Sequence, residues 1–217
     1  MNKHLSTYVI ILLMFLLCSP IYAKSDKEAV SILDKTSAAI SAGGDLSVEF
    51  KASYFDQPNE PTVLNGKLLV SGIKLYVESD RVTYWFDGET LWTYIAGSDE
   101  VNLSTPTAEE QQAINPYFFL TLYKNGFEAT LDGEQTLRGQ NCNTIRLNPR
   151  KKGQKIQQML VDISKHTNLP VCVRFKNASG TWIRISILAC QLGQNIEPGT
   201  FRFNPEQHPD LEVIDLR

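Results

Sequence analysis

The side chains that could do chemistry are few and scattered. Carboxylates stand in pairs at Asp87 and Glu89 and at Asp132 and Glu134. Such pairs can run general acid–base chemistry when burial separates their proton affinities. Here each pair sits at a hairpin turn, where Asp and Glu are ordinary surface residues. His166 and His208 stand beside turn residues, Thr167-Asn168 and Pro209, and are expected to be exposed. No Ser, Cys or Lys lies in a nucleophile motif. Cys142, Cys172 and Cys190 match no zinc-ligand spacing. The reading is a protein that is not an enzyme and carries no metal or cofactor.

What the chain does concentrate is apolar surface. The stretch VTYWFDGETLWTY, residues 82–94, sets two Trp, two Tyr and a Phe around an Asp-Gly turn. Asp87-Gly88 is a strong hairpin signal. A turn centred there pairs Trp85 with Thr90 and Tyr84 with Leu91. One face then carries Val82, Tyr84, Phe86, Leu91 and Thr93, and the other Trp85, Trp92 and Tyr94. Both faces are apolar, unlike a sheet wetted on one side. Plain core and the wall of an emptiable cavity have the same periodicity, so the pattern leaves both open.

The elements that must hold this hairpin read as mainly β. The chain opens with Lys3 and an apolar run over residues 8–17, too short to span a bilayer. Pro20 breaks the run, and Ala23 offers a small residue for cleavage, so residues 1–23 read as a signal peptide. A lipoprotein signal anchored at Cys18 is the rival, but Leu17 stands where a small residue is wanted. Residues 24–217 then form one domain. The formal charge is −3, and losing Lys3 makes the mature chain slightly more acidic, which disfavours nucleic acid. The basic run PRKKGQK, residues 149–155, reads as a solvated loop.

Residues 27–43 carry Ala29, Val30, Leu33 and Ile40 near helical period, and Gly43-Gly44 stops them. The period then switches to two, with Val48, Phe50, Ala52 and Tyr54 on one face. Strands follow in GKLLVSG, IKLYVES, the aromatic hairpin and EVNLST. Residues 107–126 interrupt them as a second helix, with Thr107 and Glu110 as a capping box and Pro116 as a break. From Phe127 strands resume, in FEATLDGE, NCNTIRLNP, QKIQQMLVDIS, LPVCVRF, TWIRISILACQL and GTFRFNP. Tight turns make a meander, so the sheet is antiparallel, with about ten strands, wide enough that it must curl.

Counting outward from the turn NASG, residues 177–180, sets Cys172 opposite Ile185 and Cys190 opposite Thr167. The two miss each other along the hairpin, beyond disulfide reach. Cys142 lies on an earlier strand, so three buried thiols are expected.

The order GKL, LYV, WFDGETLWTY and DEVNL, then NPYFFL, then FRFNP and LEVID, resembles the LolA family of periplasmic lipoprotein carriers, closest to the LolA-like proteins of Bacteroides-type bacteria. The likeness covers nearly the whole mature chain, and its best markers are residues 87–94 and 201–205. It implies a curved antiparallel sheet forming an unclosed half-barrel with a helical lid. It implies a periplasmic protein whose hydrophobic cavity takes the acyl chains of lipoproteins or another lipid. The implied partners are an inner-membrane ABC-type release complex and an outer-membrane acceptor, with the carrier a monomer. On that basis the ligand-binding face is Phe50, Leu75, Val77, Val82, Tyr84, Phe86 and Leu91, with Tyr117 and Leu120 from the lid helix. Period and turn group the strand residues, but only the resemblance says which side is concave. One departure stands out: the family's lid-tying Arg is absent from the turn Ser71-Gly72. A second reading stays open, a lipid sensor or regulatory scaffold acting through a protein partner on the face of Trp85, Trp92 and Tyr94.

Overall fold

Asp26 fixes where the first element begins. Its N–H donates to Ala129 O at 2.8 Å, and its side chain accepts from Glu28 N at 2.9 Å. That cap satisfies a free donor of helix α1 (Lys27–Ala42) and ties its start to the sheet. Ala29, Ile32, Leu33 and Thr36 are buried, the Thr36 hydroxyl donating to Ile32 O at 3.1 Å. Ile32 and Thr36 thus complete the expected face, with Val30 and Ile40 packing at its flanks. At the far end Gly43 O accepts from Gly193 N at 2.6 Å. A Cβ on Gly43 would lie 2.6 Å from Leu192, so only glycine allows this approach.

The computed structural model describes residues 26–55, 61–107, 110–111 and 122–217. The expected leader and most of the second expected helix, including Tyr117 and Leu120, lie outside the described residues. The start of that helix is described. Thr107 N donates to Glu110 Oε2 at 2.8 Å, and Glu110 N to Thr107 Oγ1 at 3.3 Å, the reciprocal pair of a capping box.

The strands are β1 (Asp45–Phe55), β2 (Thr62–Ser71), β3 (Lys74–Ser79), β4 (Val82–Phe86), β5 (Leu91–Ile95) and β6 (Glu100–Ser104), then β7 (Phe127–Leu137), β8 (Gln140–Pro149), β9 (Ile156–Ser164), β10 (Pro170–Asn177), β11 (Trp182–Gln194) and β12 (Glu212–Asp215). All twelve form one sheet, ordered β12-β6-β5-β4-β3-β2-β1-β11-β10-β9-β8-β7. Two meanders therefore meet at a β1–β11 seam, and the sheet stays unclosed, with β12 and β7 as its edges. The result is an unclosed half-barrel with α1 on its inner face. At the seam Leu46 pairs with Leu192, Val48 with Cys190 and Ala52 with Ile185. Leu188 has no partner in β1, because a bulge falls between the Glu49–Ala189 and Phe50–Ile187 pairs.

Several expectations need correcting. Residues 199–205 are no strand: two short 3₁₀ helices, Pro198–Phe201 and Pro205–Gln207, occupy this region. Pro198 and Pro205 lack the N–H a strand ladder needs. A twelfth strand instead forms beyond them, and β12 pairs with β6 in parallel. In the aromatic hairpin Trp85 pairs with Trp92 and Phe86 with Leu91, because the connection takes four residues. Asp87 Oδ1 holds it open by accepting from Glu89 N at 3.1 Å and Thr90 N at 2.8 Å. The register moves by two, so the expected faces survive. In β10–β11, Cys172 pairs with Ser186, one place from the expected Ile185. Asn177 Oδ1 accepts from Thr181 N at 2.9 Å and adds a residue to that turn. The three cysteines among the described residues are free, Cys142 and Cys172 buried and Cys190 half-buried.

Candidate functional site

The inner face is apolar from one meander to the other. Cross-strand pairing lines up Leu131, Ile145, Val161, Val173, Ile185, Ala52 and Leu64 over seven strands. A parallel row runs Leu192, Leu46, Val70, Leu75, Phe86 and Leu91. Between them lies Cys190, Val48, Leu68, Val77, Tyr84 and Thr93. No charged side chain interrupts any of the three rows.

Two clusters divide this face. The first packs beneath α1 and includes Leu33, Phe127, Ile145, Met159, Val161 and Ile163. The second centres on Leu46, Val48, Leu68, Leu75, Phe86 and Leu91, and no residue of α1 belongs to it. Half-buried Phe50, Val70, Val77, Tyr84, Ile187, Cys190 and Leu192 surround it. Six of the expected ligand residues, Phe50, Leu75, Val77, Tyr84, Phe86 and Leu91, thus meet in one cluster. Val82 shares their face and pairs with Ile95, but stands outside the cluster at the strand's start. The cluster also takes in Leu46, Val48, Leu68, Val70, Ile187, Cys190 and Leu192, which the expected ligand set leaves out. The even numbering of Val48 and Phe50 could have pointed to Leu46. The contribution of β11 follows only from the long-range seam.

Phe50 has its seat made by a glycine. Phe50 pairs with Gly66 across β1–β2, and a Cβ on Gly66 would stand 2.4 Å from Phe50 Cζ. The ring lies across the space a side chain would fill.

The inner face has little acid–base capacity. Burial first, then the nearby Tyr54 hydroxyl, pushes the Tyr84 phenol above its ordinary value. Burial also raises the Cys190 thiol. Both groups are neutral near pH 7 and serve as weak polar handles in an apolar wall. Among the described residues no cluster of His, Cys, Asp and Glu could hold a metal ion.

The outer face differs. Trp85 and Trp92, on the face through which the scaffold reading would act, are only 9% and 5% accessible. The C-terminal segment covers them: Phe203 packs 5.3 Å from Trp85, and His208 6.0 Å from it, both edge-on. A cleft of about 1010 Å³ opens beside them, walled by Tyr76, Trp85, Tyr94, Arg202 and His208. The Tyr76 hydroxyl donates to Glu78 Oε2 at 3.0 Å, and burial with this contact pushes its pKa to about 12.

Toward β7 the outer face holds a buried carboxylate that the sequence reading passed over. Asp162 is fully buried and accepts from Gln135 Nε2 at 2.6 Å and Thr144 Oγ1 at 2.7 Å. Arg174 donates one amine to both of its oxygens, at 3.1 and 3.0 Å. Nearby, Arg138 at the β7–β8 hairpin tip reaches the seam bulge and donates to Ile187 O at 2.6 Å and Leu188 O at 3.3 Å. The β2–β3 turn holds no arginine, and Gly72 adopts φ 58° there.

The sequence matches the family model described as "Outer membrane lipoprotein carrier protein LolA" over residues 19–179. The chain belongs to the LolA family. Its sheet and helix agree with solved structures of low sequence identity. An uncharacterised conserved protein from Thermus thermophilus aligns with TM-score 0.58 and 13% identity, over 87% of this chain and 99% of that one. The Mycobacterium tuberculosis lipoprotein LppX aligns with TM-score 0.51 and 11% identity, over 80% of this chain and 100% of that one. A search of curated proteins found no match. Membership of the LolA family and the three uncharged rows of the inner face together describe a lipid-carrier type of protein. Among the described residues no helix is long and apolar enough to cross a membrane.

Proposed function

We propose that this LolA-family protein is a periplasmic carrier that shelters the acyl chains of lipoproteins, or of another lipid, between inner and outer membranes. One observation carries the reading. The apolar inner face continues past the area that α1 covers, into a second wall of half-buried Phe50, Val70, Val77, Tyr84 and Ile187. Each methylene moved from water onto such a wall gains about 0.8 kcal/mol, so a dozen gain roughly 10 kcal/mol before losses. Release at an acceptor requires that part of this gain be offset. A lid that fills the wall in the empty state does this, since cargo then only replaces one apolar partner by another. The segment containing Tyr117 and Leu120 is the natural lid. No arginine stands at Ser71-Gly72 to tie it. The inner-membrane ABC-type release complex and an outer-membrane acceptor are its partners in this scheme, and the carrier works as a monomer without catalytic chemistry.

A sensor or scaffold reading has one observation in its favour, the outer cleft of about 1010 Å³ beside the aromatic cluster. Mass spectrometry of protein purified from the periplasm separates the two. Co-purifying lipid or acylated peptide supports the carrier. A stoichiometric protein partner without lipid supports the scaffold.

A further inference from the structure

The outer face carries a set of cations with no ion-pair partner among the described residues. Arg174 and Arg184 stand directly opposite each other across β10–β11. Like charges in that position destabilise a sheet unless something of opposite sign lies between or above them. Arg174 has its counter-ion in Asp162. Among the described residues, no carboxylate lies within ion-pair distance of Arg184, of Lys176 on the same face of β10, or of Lys51 on β1. This patch is positive on a chain whose formal charge is −3.

Apolar surface adjoins these cations. The Arg184 guanidinium lies 5.4 Å from the centre of the Phe55 ring, and Phe55 is 42% exposed. A groove of about 370 Å³ is walled by Phe55, Leu160, Arg174, Trp182 and Arg184. A second pocket of about 160 Å³ shares Arg174 and Arg184 with it, so the two arginines stand between two hollows of the outer face. Phe55 ends β1 and Trp182, its partner, begins β11, which sets both aromatics at one rim of the sheet.

We propose that this rim is a docking surface for a bilayer carrying anionic headgroups. Arg184 and Lys176 face lipid phosphates, while Phe55 and Trp182 enter the headgroup layer, where amphipathic rings and cationic side chains with apolar stems are both favoured. A soluble anion would satisfy the arginines and leave Phe55 in water. One residue further along the same strands, Tyr54 and Ile183 belong to the inner face. Docking by this rim therefore brings the end of the apolar wall toward the membrane. The proposal rests on the carrier reading only for that purpose, and binding itself is independent of it.

The test is co-sedimentation of protein beginning at Lys24 with vesicles of phosphatidylcholine, with and without phosphatidylglycerol. Binding is expected only to vesicles with phosphatidylglycerol, and it is expected to fade as NaCl screens the contact. Each lost charge should weaken it about five-fold, so the double variant Arg184→Gln, Lys176→Gln loses about 25-fold. Phe55→Ser should weaken it further. Arg174 is left alone because it holds the buried Asp162. Uptake of a fluorescent fatty acid should be unchanged in these variants, which also reports that they fold. Four results overturn the proposal: no vesicle binding, equal binding to neutral vesicles, a double variant that binds like wild type, or displacement by inorganic phosphate beyond that by NaCl of equal ionic strength. The last would mark a soluble-anion pocket. Vesicle binding by a protein that takes up no fatty acid would leave docking standing and remove the carrier reading.

Discussion

Gly66→Ala is the sharpest probe of the inner wall. The added methyl would meet Phe50 Cζ at 2.4 Å, Phe50 Cε1 at 2.9 Å and Glu78 O at 2.7 Å. Two of these contacts are with a ring that can turn away and one is with backbone that cannot do so cheaply. Overpacking of this kind costs about 1–3 kcal/mol. Replacing glycine by alanine returns about 0.4–1 kcal/mol by restricting the unfolded chain, so the net loss should be about 1–2 kcal/mol. Removing the ring isolates its share. In a Phe50→Ala background the same substitution should cost about 1 kcal/mol less, leaving only the clash with Glu78 O. Urea denaturation of the four proteins in this cycle measures the difference. Equal costs in both backgrounds would mean that Phe50 does not rest on Gly66, and the wall would have to be redrawn. Gly66→Ala should also alter lipid uptake, since it displaces Phe50, a residue of the inner cluster.

Three further outcomes are expected. Arg174→Met strands the buried Asp162 and should cost about 3–5 kcal/mol in denaturant titrations, with Asp162→Asn recovering part of it. Alkaline titration should erode stability from about pH 9 upward. Burial raises Cys172 from 9.0 to about 11, and burial with the Glu78 contact raises Tyr76 from 10.0 to about 12. A raised folded pKa gives stability that is full below the unfolded value and lost as pH climbs to the folded one. A denaturation midpoint that is flat from pH 8 to 12 would contradict both environments. Mass spectrometry of the exported protein should give an N-terminus at Lys24 and three reactive thiols after denaturation without reductant. A diacylglycerol-modified Cys18 or a single reactive thiol would contradict these expectations.

The legible parts of the fold were those set by local pattern. Alternation in β1 grouped Val48 and Phe50, and the pair Gly43-Gly44 marked the end of α1. Thr107 and Glu110 announced their capping box through spacing alone. Errors came where side chains bond to turns. Asp87 and Asn177 each accept from backbone N–H groups and lengthen their connections, which shifted one register by two residues and the other by one. The shift by two spared the site, because strand faces repeat every second residue. The seam between β1 and β11 joins residues over a hundred positions apart, and no local signal marks it. Hence Ile187, Cys190 and Leu192 were invisible as wall residues. The fate of Trp85 was hidden for a similar reason: Phe203 and His208 cover it from the far end of the chain.

Thr83 and Tyr84 are neighbours on β4 that point to opposite faces. Thr83 pairs with Glu78 and lines the outer cleft, whereas Tyr84 pairs with Val77 in the inner cluster. Uptake of a fluorescent fatty acid by folded Thr83→Asp and Tyr84→Asp proteins therefore tests the central claim most directly. A carboxylate at position 84 should abolish uptake, because it sets a charge against the acyl chain. The same carboxylate at position 83 should leave uptake within a factor of about two, a small change for an outward-facing surface substitution. Normal uptake by Tyr84→Asp, or its loss only in Thr83→Asp, would contradict the account of the inner face as the lipid shelter.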